Sequence, residues 1–338
     1  MNNSNLAILN DIIAEQSDIL VSLADQIRSA SRIAVVGHVN PDGDCIGCQL
    51  GLRGGLISLG KDVTIINDGP FDNSYTRNYV DKFCQSSDIC SKTDFDLFIV
   101  ADSSSAERVA IAEDKIDLKR TIIIDHHQSG TNFGKTAWID DRFVSASEMV
   151  FILLSFMGVT FSASLAQALL DGVLSDNGYY QHIRTHKYGS LYISFLLISY
   201  GGDPNLSYRR MFCNNTLDTE KLFSKILGRT ESLCDGKILW SYIYKSDRNI
   251  GGQTIDFNSG MIFRDMLSVK GMKVAVFFKI DEDEHEVNIS FRSTDDIDVA
   301  AVAGELGGGG HKVAAGCTVK GDFDTVKNKV LNMVSKIV

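Results

Sequence analysis

Three short apolar runs in the N-terminal half of the chain each end next to a histidine or an aspartate. The runs are Ile33–Val36, Leu97–Val100 and Thr121–Ile124. Uninterrupted apolar runs of this length, separated by helical segments, are typical of buried parallel strands. We therefore predict an α/β protein whose N-terminal domain is a parallel sheet with helices on both faces.

Polar residues follow each of these predicted strands directly. His38 comes after the first run, Asp102 after the second, and the triplet 125–127 (Asp-His-His) after the third. Ligands of open α/β sheets bind at the carboxyl ends of the strands. The sequence therefore predicts a functional site that these polar side chains form together.

The first polar segment runs from His38 through Asp42 to Asp44. Pro41 and Gly43 favour a tight turn that directs side chains toward one point. The alternative is a polar turn that caps the next helix, with Asp44 as the N-cap. The other segments also have structural alternatives: a strand-end Asp102 can cap a helix, and adjacent histidines can be core residues bonded to backbone.

A further acidic segment, Asp171–Gly178, lies at the end of a helical run, and its Asp176 precedes Asn-Gly, as in a helix-ending turn. With it, the candidate ligands comprise four acids and two histidines: Asp42, Asp44, Asp102, Asp176, His38 and His126. Such an oxygen and nitrogen set suits Mn²⁺, or Mg²⁺, Co²⁺ or Fe²⁺, better than a structural zinc site. Six ligands fit two cations bridged by one carboxylate, an arrangement that favours in-line attack on phosphorus.

The pattern changes after a mostly helical stretch between about 145 and 235. Strand-like segments follow at Ile238–Tyr244, Val274–Ile280 and Glu286–Phe291, the last two as a candidate antiparallel pair. We predict a smaller C-terminal α/β domain. The expected division is a metal-binding catalytic domain at 1–195, a helical linker at 196–234 and a substrate-binding domain at 235–338.

This C-terminal part contains a run of glycines, Gly307–Gly310, followed by His311 and Lys312. Successive glycines leave backbone N–H groups free to form an anion-binding concavity, although a flexible hinge is the alternative. Arg292, next to Ser293 at a predicted strand end, offers a guanidinium that can grip a phosphate with two hydrogen bonds.

The overall charge and composition exclude several other classes of protein. A net charge of −10 argues against coating long duplex nucleic acid. No apolar run approaches the ~18 residues that cross a bilayer, and we see no export signal. Seven cysteines scattered through the chain do not form a disulfide framework. We therefore expect a cytoplasmic protein with no membrane partner.

In their order along the chain, the five motifs resemble those of the DHH/DHHA1 phosphoesterases. They are HVNPDGD at 38–44, the strand-end Asp102, DHH at 125–127, SDNG at 175–178 and GGGGHKVAAG at 307–316. The nearest resemblance is to stand-alone members with nanoRNase, pAp phosphatase or cyclic-di-AMP/pApA phosphodiesterase activity.

The resemblance implies two Mn²⁺ sites that share Asp102. The ligands of the first would be His38, Asp42 and Asp102. The ligands of the second would be Asp44, Asp102, His126 and Asp176. As catalytic residues beside Asp102, His127 would contact the scissile phosphate and Asp125 would orient a metal-bound histidine. The groups that would grip the substrate are Arg292, Ser293, Gly308, Gly309, Gly310 and His311.

The implied activity is that of a Mn²⁺-dependent phosphodiesterase of the 3′–5′ exoribonuclease type. It would hydrolyse short oligoribonucleotides or linear dinucleotides such as pApA to mononucleotides, and dephosphorylate pAp. Two alternatives are a cyclic-di-AMP phosphodiesterase and a non-catalytic nucleotide-binding protein. The sequence leaves open whether the chain forms a homodimer.

The chain departs from the family pattern at three positions. Cys45 and Cys48 stand where the first motif commonly has Ala and Ser, and Asn177 replaces the more usual Thr. The C-x₂-C spacing of the two cysteines resembles a zinc motif, but no second pair with matching spacing accompanies it. We interpret the cysteines as small helix-packing residues.

Overall fold

A computed structural model describes residues 6–72, 75–127, 131–181, 183, 189–255, 257, 259–294 and 297–338. The chain forms two compact units, Met1–Asn214 and Asn215–Val338. Their boundary falls inside the segment 196–234, whose helices are divided between the units. The domain limits given above stay predictions. Among the described residues, none of the helices has the length and apolar character needed to cross a lipid bilayer.

The first unit contains a five-stranded parallel sheet, with the order β2-β1-β3-β4-β5. The strands are β1 (Arg32–Val36), β2 (Asp62–Ile66), β3 (Leu97–Ala101), β4 (Thr121–Asp125) and β5 (Thr136–Ile139). β1, β3 and β4 match the three apolar runs described above, and the edge strand β5 was not predicted. The α/β class and the parallel sheet are confirmed.

The α-helices of this unit pack mainly on one face of the sheet. They are α1 (Ala7–Glu15), α2 (Ser17–Ser29), α3 (Gly43–Ser58), α4 (Ala146–Phe156), α5 (Ala163–Asp176), α6 (Ser190–Ser199) and α7 (Pro204–Phe212). The apolar spacing of residues 5–30 predicts one helix, whereas the structure has two, α1 and α2. The sequence pattern also predicts a helix at 185–200, and part of that range lies outside the described residues.

Alternate residues along each strand enter different cores. Ile33 and Val35 of β1 pack with the α-helices, whereas Ala34 and Val36 pack on the opposite face. That second face is covered by short 3₁₀ turns and loops between 76 and 120. Helical segments therefore lie on both faces, but those of the second face are short 3₁₀ helices, because this segment lacks the apolar spacing of an amphipathic α-helix.

The second unit is built on a six-stranded mixed sheet, with the order β12-β13-β11-β10-β7-β6. Its strands are β6 (Glu231–Leu233), β7 (Ile238–Tyr244), β10 (Val274–Asp281), β11 (Glu286–Ser293), β12 (Gly309–His311) and β13 (Ala314–Lys320), and a separate pair is formed by β8 (Asn249–Ile250) and β9 (Gln253–Thr254). The predicted antiparallel pair β10–β11 is confirmed.

Helices cover both faces of this second sheet. One core contains residues of α10 (Val299–Glu305) and α11 (Phe323–Val334). The other core contains residues of α8 (Leu217–Gly228) and α9 (Ser259–Leu267). The second unit is thus the smaller α/β domain that the sequence predicts.

Glycines allow α3 and α5 to approach closely in the first unit. A Cβ on Gly47 would lie 2.8 Å from the carbonyl oxygen of Ala168 and 2.9 Å from the Cα of Gly172. Backbone atoms cannot move aside as side chains can, so only glycine fits at this crossing. The contact matters for function because α3 begins, and α5 ends, at acidic candidate ligands.

We predict that Gly47→Ala lowers the free energy of unfolding by roughly 1–3 kcal/mol, since the added methyl group overpacks the helix crossing. The matched control is Gly54→Ala in the same helix, where the new Cβ meets only the Leu165 side chain at 3.4 Å. That change should be neutral or stabilise by up to about 1 kcal/mol, because alanine favours helix. Urea unfolding of both variants tests this, and equal effects would contradict it.

Candidate metal centre

The sheet order brings the three predicted polar segments to one edge. β1, β3 and β4 are direct neighbours, with Val36 opposite Val100 and Ala101 opposite Ile124. His38 follows β1, Asp102 follows β3, and Asp125 ends β4. Because the strands are parallel, their carboxyl ends lie at one edge of the sheet. The strand order changes sides between β1 and β3, which is where open α/β sheets bind their ligands.

Asp102 lies at the centre of this cluster and is 1% exposed. Its Oδ2 lies 3.4 Å from Nε2 of His38, and its Oδ1 lies 3.5 Å from Nε2 of His126. Its backbone has φ 62°, a left-handed conformation that aspartate tolerates better than most residues. Each oxygen of one carboxylate therefore faces a different histidine.

The His38 side of Asp102 also contains Asp42. Oδ1 of Asp42 lies 3.7 Å from Nε2 of His38. The ring Nδ1 of His38 lies 2.8 Å from the carbonyl oxygen of Val39. A carbonyl can only accept, so Nδ1 carries a proton, and Nε2 is the ring nitrogen that faces the two carboxylates.

The His126 side contains Asp176 and Asp44. Nε2 of His126 lies 3.0 Å from Oδ2 of Asp176 and 4.0 Å from Oδ2 of Asp44. Asp44 is fully buried, and it accepts hydrogen bonds from the backbone N–H groups of Ala146 (2.6 Å) and Ser147 (2.9 Å) at the start of α4. The positive end of that helix stabilises a carboxylate there.

The N-cap of α3 is Asp42, not Asp44 as the structural alternative supposed. Oδ1 of Asp42 accepts hydrogen bonds from the N–H groups of Asp44 and Cys45, each at 3.0 Å. Asp44 belongs to the first turn and points into the protein, where it meets α4. Asp42 therefore combines the capping role with a place in the cluster.

Asp176 is the last residue of α5, so a helix end and a candidate ligand coincide there. Asn177 follows it and is fully buried. Its Oδ1 accepts from the N–H of Tyr180 at 2.9 Å, and its Nδ2 donates to Oγ of Ser190 at 3.4 Å. The asparagine that departs from the family pattern thus holds the turn that follows Asp176.

Asp125 is fully buried and holds the ring of His127, not that of His126. Oδ1 of Asp125 lies 2.7 Å from Nδ1 of His127 and accepts the backbone N–H of His126 at 2.8 Å. Its other oxygen accepts from the hydroxyl of Ser104. Ser104 is not among the residues predicted from the sequence, although it lies only two positions after Asp102. The structure differs from the expectation that Asp125 orients a metal-bound histidine, because the predicted ligand in this pair is His126.

The clustered carboxylates create an excess of negative charge, which together with burial shifts the pKa values of the groups at this centre. Burial lowers the pKa of His126, but the nearby carboxylates of Asp102 and Asp176 outweigh it and raise this pKa to about 12. Burial, together with the charges of Asp102 and Asp176, raises the pKa of Asp44 well above its usual range. Burial also raises the pKa of Asp176, to about 6.

Two buried polar atoms at the centre have no hydrogen-bond partner among the described residues: Oδ1 of Asp102 and Nε2 of His126. Leaving such groups unsatisfied costs about 1–3 kcal/mol each, and more when they are charged. Closely spaced ligand atoms form three groups at this centre: His38-Cys45-Asp102, Asp44-His126-Asp176 and Asp102-Asp125-His126-His127. The donor set therefore fits divalent cations on the two sides of Asp102.

The predicted substrate-gripping residues lie in the second unit. Arg292 on β11 pairs with Ala314 on β13, which pairs with position 311 on β12, so these positions form one row across three strands. Nη1 of Arg292 donates to the Phe291 carbonyl oxygen, and Oγ of Ser293 donates to the Ile297 carbonyl oxygen. The side chain of His311 lies outside the described part of the structure.

The glycine run differs from the predicted concavity of free N–H groups. Gly307, with φ 80°, follows the end of α10, and its N–H donates to the Gly304 carbonyl oxygen. The N–H of Gly308 donates to the Ala303 carbonyl oxygen at 2.8 Å. This pair of bonds is the Schellman motif that closes a helix. Gly309 and Gly310 then enter the edge strand β12.

Comparison with known proteins agrees with this arrangement. The model of the DHH family, N-terminal domain, matches residues 32–175, and that of the DHHA1 domain matches residues 237–338. The bifunctional oligoribonuclease and PAP phosphatase NrnA of Thermus thermophilus is 30% identical over 306 residues, which cover 89% of each chain. The chain belongs to the DHH family.

Other relatives of this DHH protein are more distant. The cyclic-di-AMP phosphodiesterase GdpP of Bacillus subtilis is 22% identical over 316 residues, covering 89% of this chain and 47% of that protein. An exopolyphosphatase-related protein from Bacteroides fragilis superposes with a TM-score of 0.81 at 23% identity, covering 94% and 95% of the chains. Exonuclease RecJ bound to manganese gives 0.51 at 15% identity, covering 95% and 94%. These two structural matches show a shared fold.

We predict that divalent cations stabilise the DHH unit through Asp102. At a cation concentration 100 times the dissociation constant, a single site should raise the free energy of unfolding by about 2.7 kcal/mol. Asp102→Asn should lose most of this gain, because the amide has one neutral oxygen where two charged oxygens stood. The measurement is urea unfolding with and without Mn²⁺, beside the metal content of dialysed protein.

The control for Asp102 is Asp18→Asn, a change to an exposed aspartate on α2. It should leave the Mn²⁺ response intact. An Asp102→Asn variant that still bound two equivalents of Mn²⁺ with unchanged affinity would contradict the central place given to this carboxylate.

Proposed function

We propose that the chain is a phosphodiesterase that uses two divalent cations, Mn²⁺ in the first instance. It would hydrolyse short oligoribonucleotides or linear dinucleotides such as pApA to mononucleotides, and dephosphorylate pAp. The observation that carries this proposal is the position of Asp102, whose two oxygens face different histidines. The similarity to NrnA of Thermus thermophilus, named for oligoribonuclease and PAP phosphatase activity, supports the substrate class.

The ligand sets would divide at Asp102. The ligands on one side would be His38, Asp42 and Asp102, and those on the other Asp44, Asp102, His126 and Asp176. Two cations so held would supply Lewis acidity to the phosphoryl group and a strong oxygen nucleophile near neutral pH. The protein contributes the fixed carboxylates and histidines, whose positions are set by three strand ends and two helix ends.

His127 is well placed to contact the phosphate. Its side chain is 43% exposed and borders an open cleft of about 540 Å³, which Trp138 also lines. With Nδ1 directed at Asp125, its Nε2 is the ring nitrogen left for substrate. The hydrogen bond with Asp125 raises the pKa of His127. This favours the protonated ring, which can donate to a phosphate oxygen as negative charge develops.

The second unit would recognise the part of the substrate away from the reacting phosphate. Arg292, Ser293, Gly308–Gly310 and His311 remain its proposed binding residues. The guanidinium of Arg292 also lies over the Phe263 ring, with Cζ 5.0 Å from the ring centre. Such stacking restricts a flexible side chain and so prepares it to bind a terminal phosphate.

We predict that His127→Asn lowers kcat on pApA by roughly 100- to 1,000-fold, the usual loss when one donor to the transition state is removed. Mn²⁺ content and affinity should stay close to those of the wild type, because His127 is not among the proposed ligands. Steady-state kinetics beside metal analysis checks both parts.

His285→Asn is the matched control for His127. His285 is exposed in the turn between β10 and β11, where its φ of 48° is one that asparagine also adopts. This variant should keep full activity. If His127→Asn lost its bound Mn²⁺, the assignment of His127 to the phosphate and not to the metals would be wrong.

We further predict that Arg292→Ala separates linear from cyclic substrates. Loss of a charged hydrogen-bonding partner costs about 1.5–3 kcal/mol, so kcat/KM for pApA should fall roughly 10- to 150-fold. Cyclic di-AMP has no terminal phosphate, so its hydrolysis should fall much less. A model diester without nucleotide, bis-p-nitrophenyl phosphate, should be hydrolysed at the wild-type rate.

The substrate comparison also tests the alternatives. Arg264→Ala, which removes an exposed arginine of the same unit, serves as the control and should change none of the rates. Equal losses for pApA and cyclic di-AMP would exclude the terminal-phosphate role of Arg292. Wild-type protein that hydrolysed cyclic di-AMP faster than pApA would favour the activity named for GdpP. No hydrolysis of any substrate with Mn²⁺ would favour a binding protein.

A further inference from the structure

One cysteine lies beside the candidate metal centre without a role in the proposed reaction. Cys45 is on the first turn of α3 and is fully buried. Its Sγ, a ring nitrogen of His38 and a carboxylate oxygen of Asp102 all lie within 4.8 Å of one another. His38 and Asp102 are two of the three ligands proposed for the first cation.

The surroundings of Cys45 are polar, unlike those of a packing residue. Its Sγ accepts from the backbone N–H of His38 at 3.3 Å and lies 3.7 Å from Oε1 of Gln49. Gln49 is itself fixed, because its Nε2 donates to the carbonyl oxygens of Val35 (3.0 Å) and Ile66 (2.9 Å). These contacts hold the sulfur at the edge of the cluster.

The spacing of the three ligand atoms is close to that of atoms bound to one cation. Zinc-like ions lie about 2.3 Å from thiolate sulfur and about 2.0–2.1 Å from histidine nitrogen, so two such ligands lie at most about 4.4 Å apart. The upper limit of 4.8 Å exceeds this by only a few tenths of an ångström. The ligand atoms of these three residues are thus close enough together to hold one cation.

We infer that Cys45 is a ligand of the first cation site, beside His38 and Asp102. A soft thiolate in an otherwise oxygen and nitrogen set strengthens binding of thiophilic cations such as Co²⁺, Zn²⁺ and Cd²⁺ relative to Mn²⁺. The thiol would release its proton to solvent on binding the cation, because a metal-bound thiol is deprotonated. The inference rests on the proposed cation sites but not on the substrate.

The test is the absorption spectrum of the full-length protein titrated with Co²⁺ after removal of bound metal. A cysteine thiolate bound to Co²⁺ gives a charge-transfer band in the near ultraviolet, which oxygen and nitrogen ligands do not give. Wild-type protein should show this band, and Cys45→Ser should lack it while still binding Co²⁺. The readout needs no substrate, so it is independent of whether pApA is hydrolysed.

Cys48→Ser is the matched control. Cys48 is buried in the same helix, with Sγ 3.7 Å from Oδ1 of Asp44 and 3.4 Å from Oγ of Ser147, yet it belongs to none of the three metal-ligand groups of the described residues. Its variant should keep the full band. Cys45→Ala provides a second variant without the band, in case serine disturbs the tight packing against Gly37.

Competition between cations gives an independent measure. Even partners that only orient a ligand cost roughly 10- to 100-fold in metal affinity when removed, so losing a thiolate should weaken Cd²⁺ binding at least about tenfold. Mn²⁺ binding should change far less. A wild-type protein that bound two Co²⁺ without the band, or a band that persisted in both Cys45 variants, would overturn the inference.

Discussion

The physical constraint on which this structure most depends is the burial of one carboxylate, that of Asp102. It lies between His38 and His126 and close to further acids, with one oxygen that no described donor satisfies. Clustered carboxylates repel one another in a medium of low dielectric constant. The raised pKa of His126 reflects the excess of negative charge, because the nearby carboxylates favour the protonated imidazole ring. Divalent cations on both sides of Asp102 would reduce this repulsion. Cation binding would therefore also stabilise the folded domain.

Two carboxylates of the centre lie at helix ends of opposite partial charge. Asp44 accepts two N–H groups at the start of α4, the positive end of a helix, whereas Asp176 occupies the last position of α5, a negative end. Asp176 therefore lacks the help that Asp44 receives and depends more on a positive partner, which His126 provides at 3.0 Å. The glycine crossing at Gly47 allows the start of α3 and the end of α5 to contribute to one centre.

The sequence predicts a site residue correctly where the end of one strand determines the position of that residue. The apolar runs predicted β1, β3 and β4, and parallel pairing then brought His38, Asp102 and Asp125 together. It fails where side-chain direction decides: no periodicity shows that Asp125 holds His127 and not His126. It also fails for the glycine run, because Gly307 closes a helix and the next glycines enter a strand, and pairing partners distant in sequence determine both outcomes.

The departures from the family pattern have different physical meanings. Asn177 replaces a hydroxyl side chain but still satisfies two polar groups, the N–H of Tyr180 and the hydroxyl of Ser190, so it secures the turn after Asp176. Cys45 adds a soft atom beside hard ligands, and this changes which cation the site prefers without altering the carboxylates. Geometry and cation choice are therefore separable properties of the centre. The strand and helix ends determine the geometry, and Cys45 in the first turn of α3 determines the choice of cation.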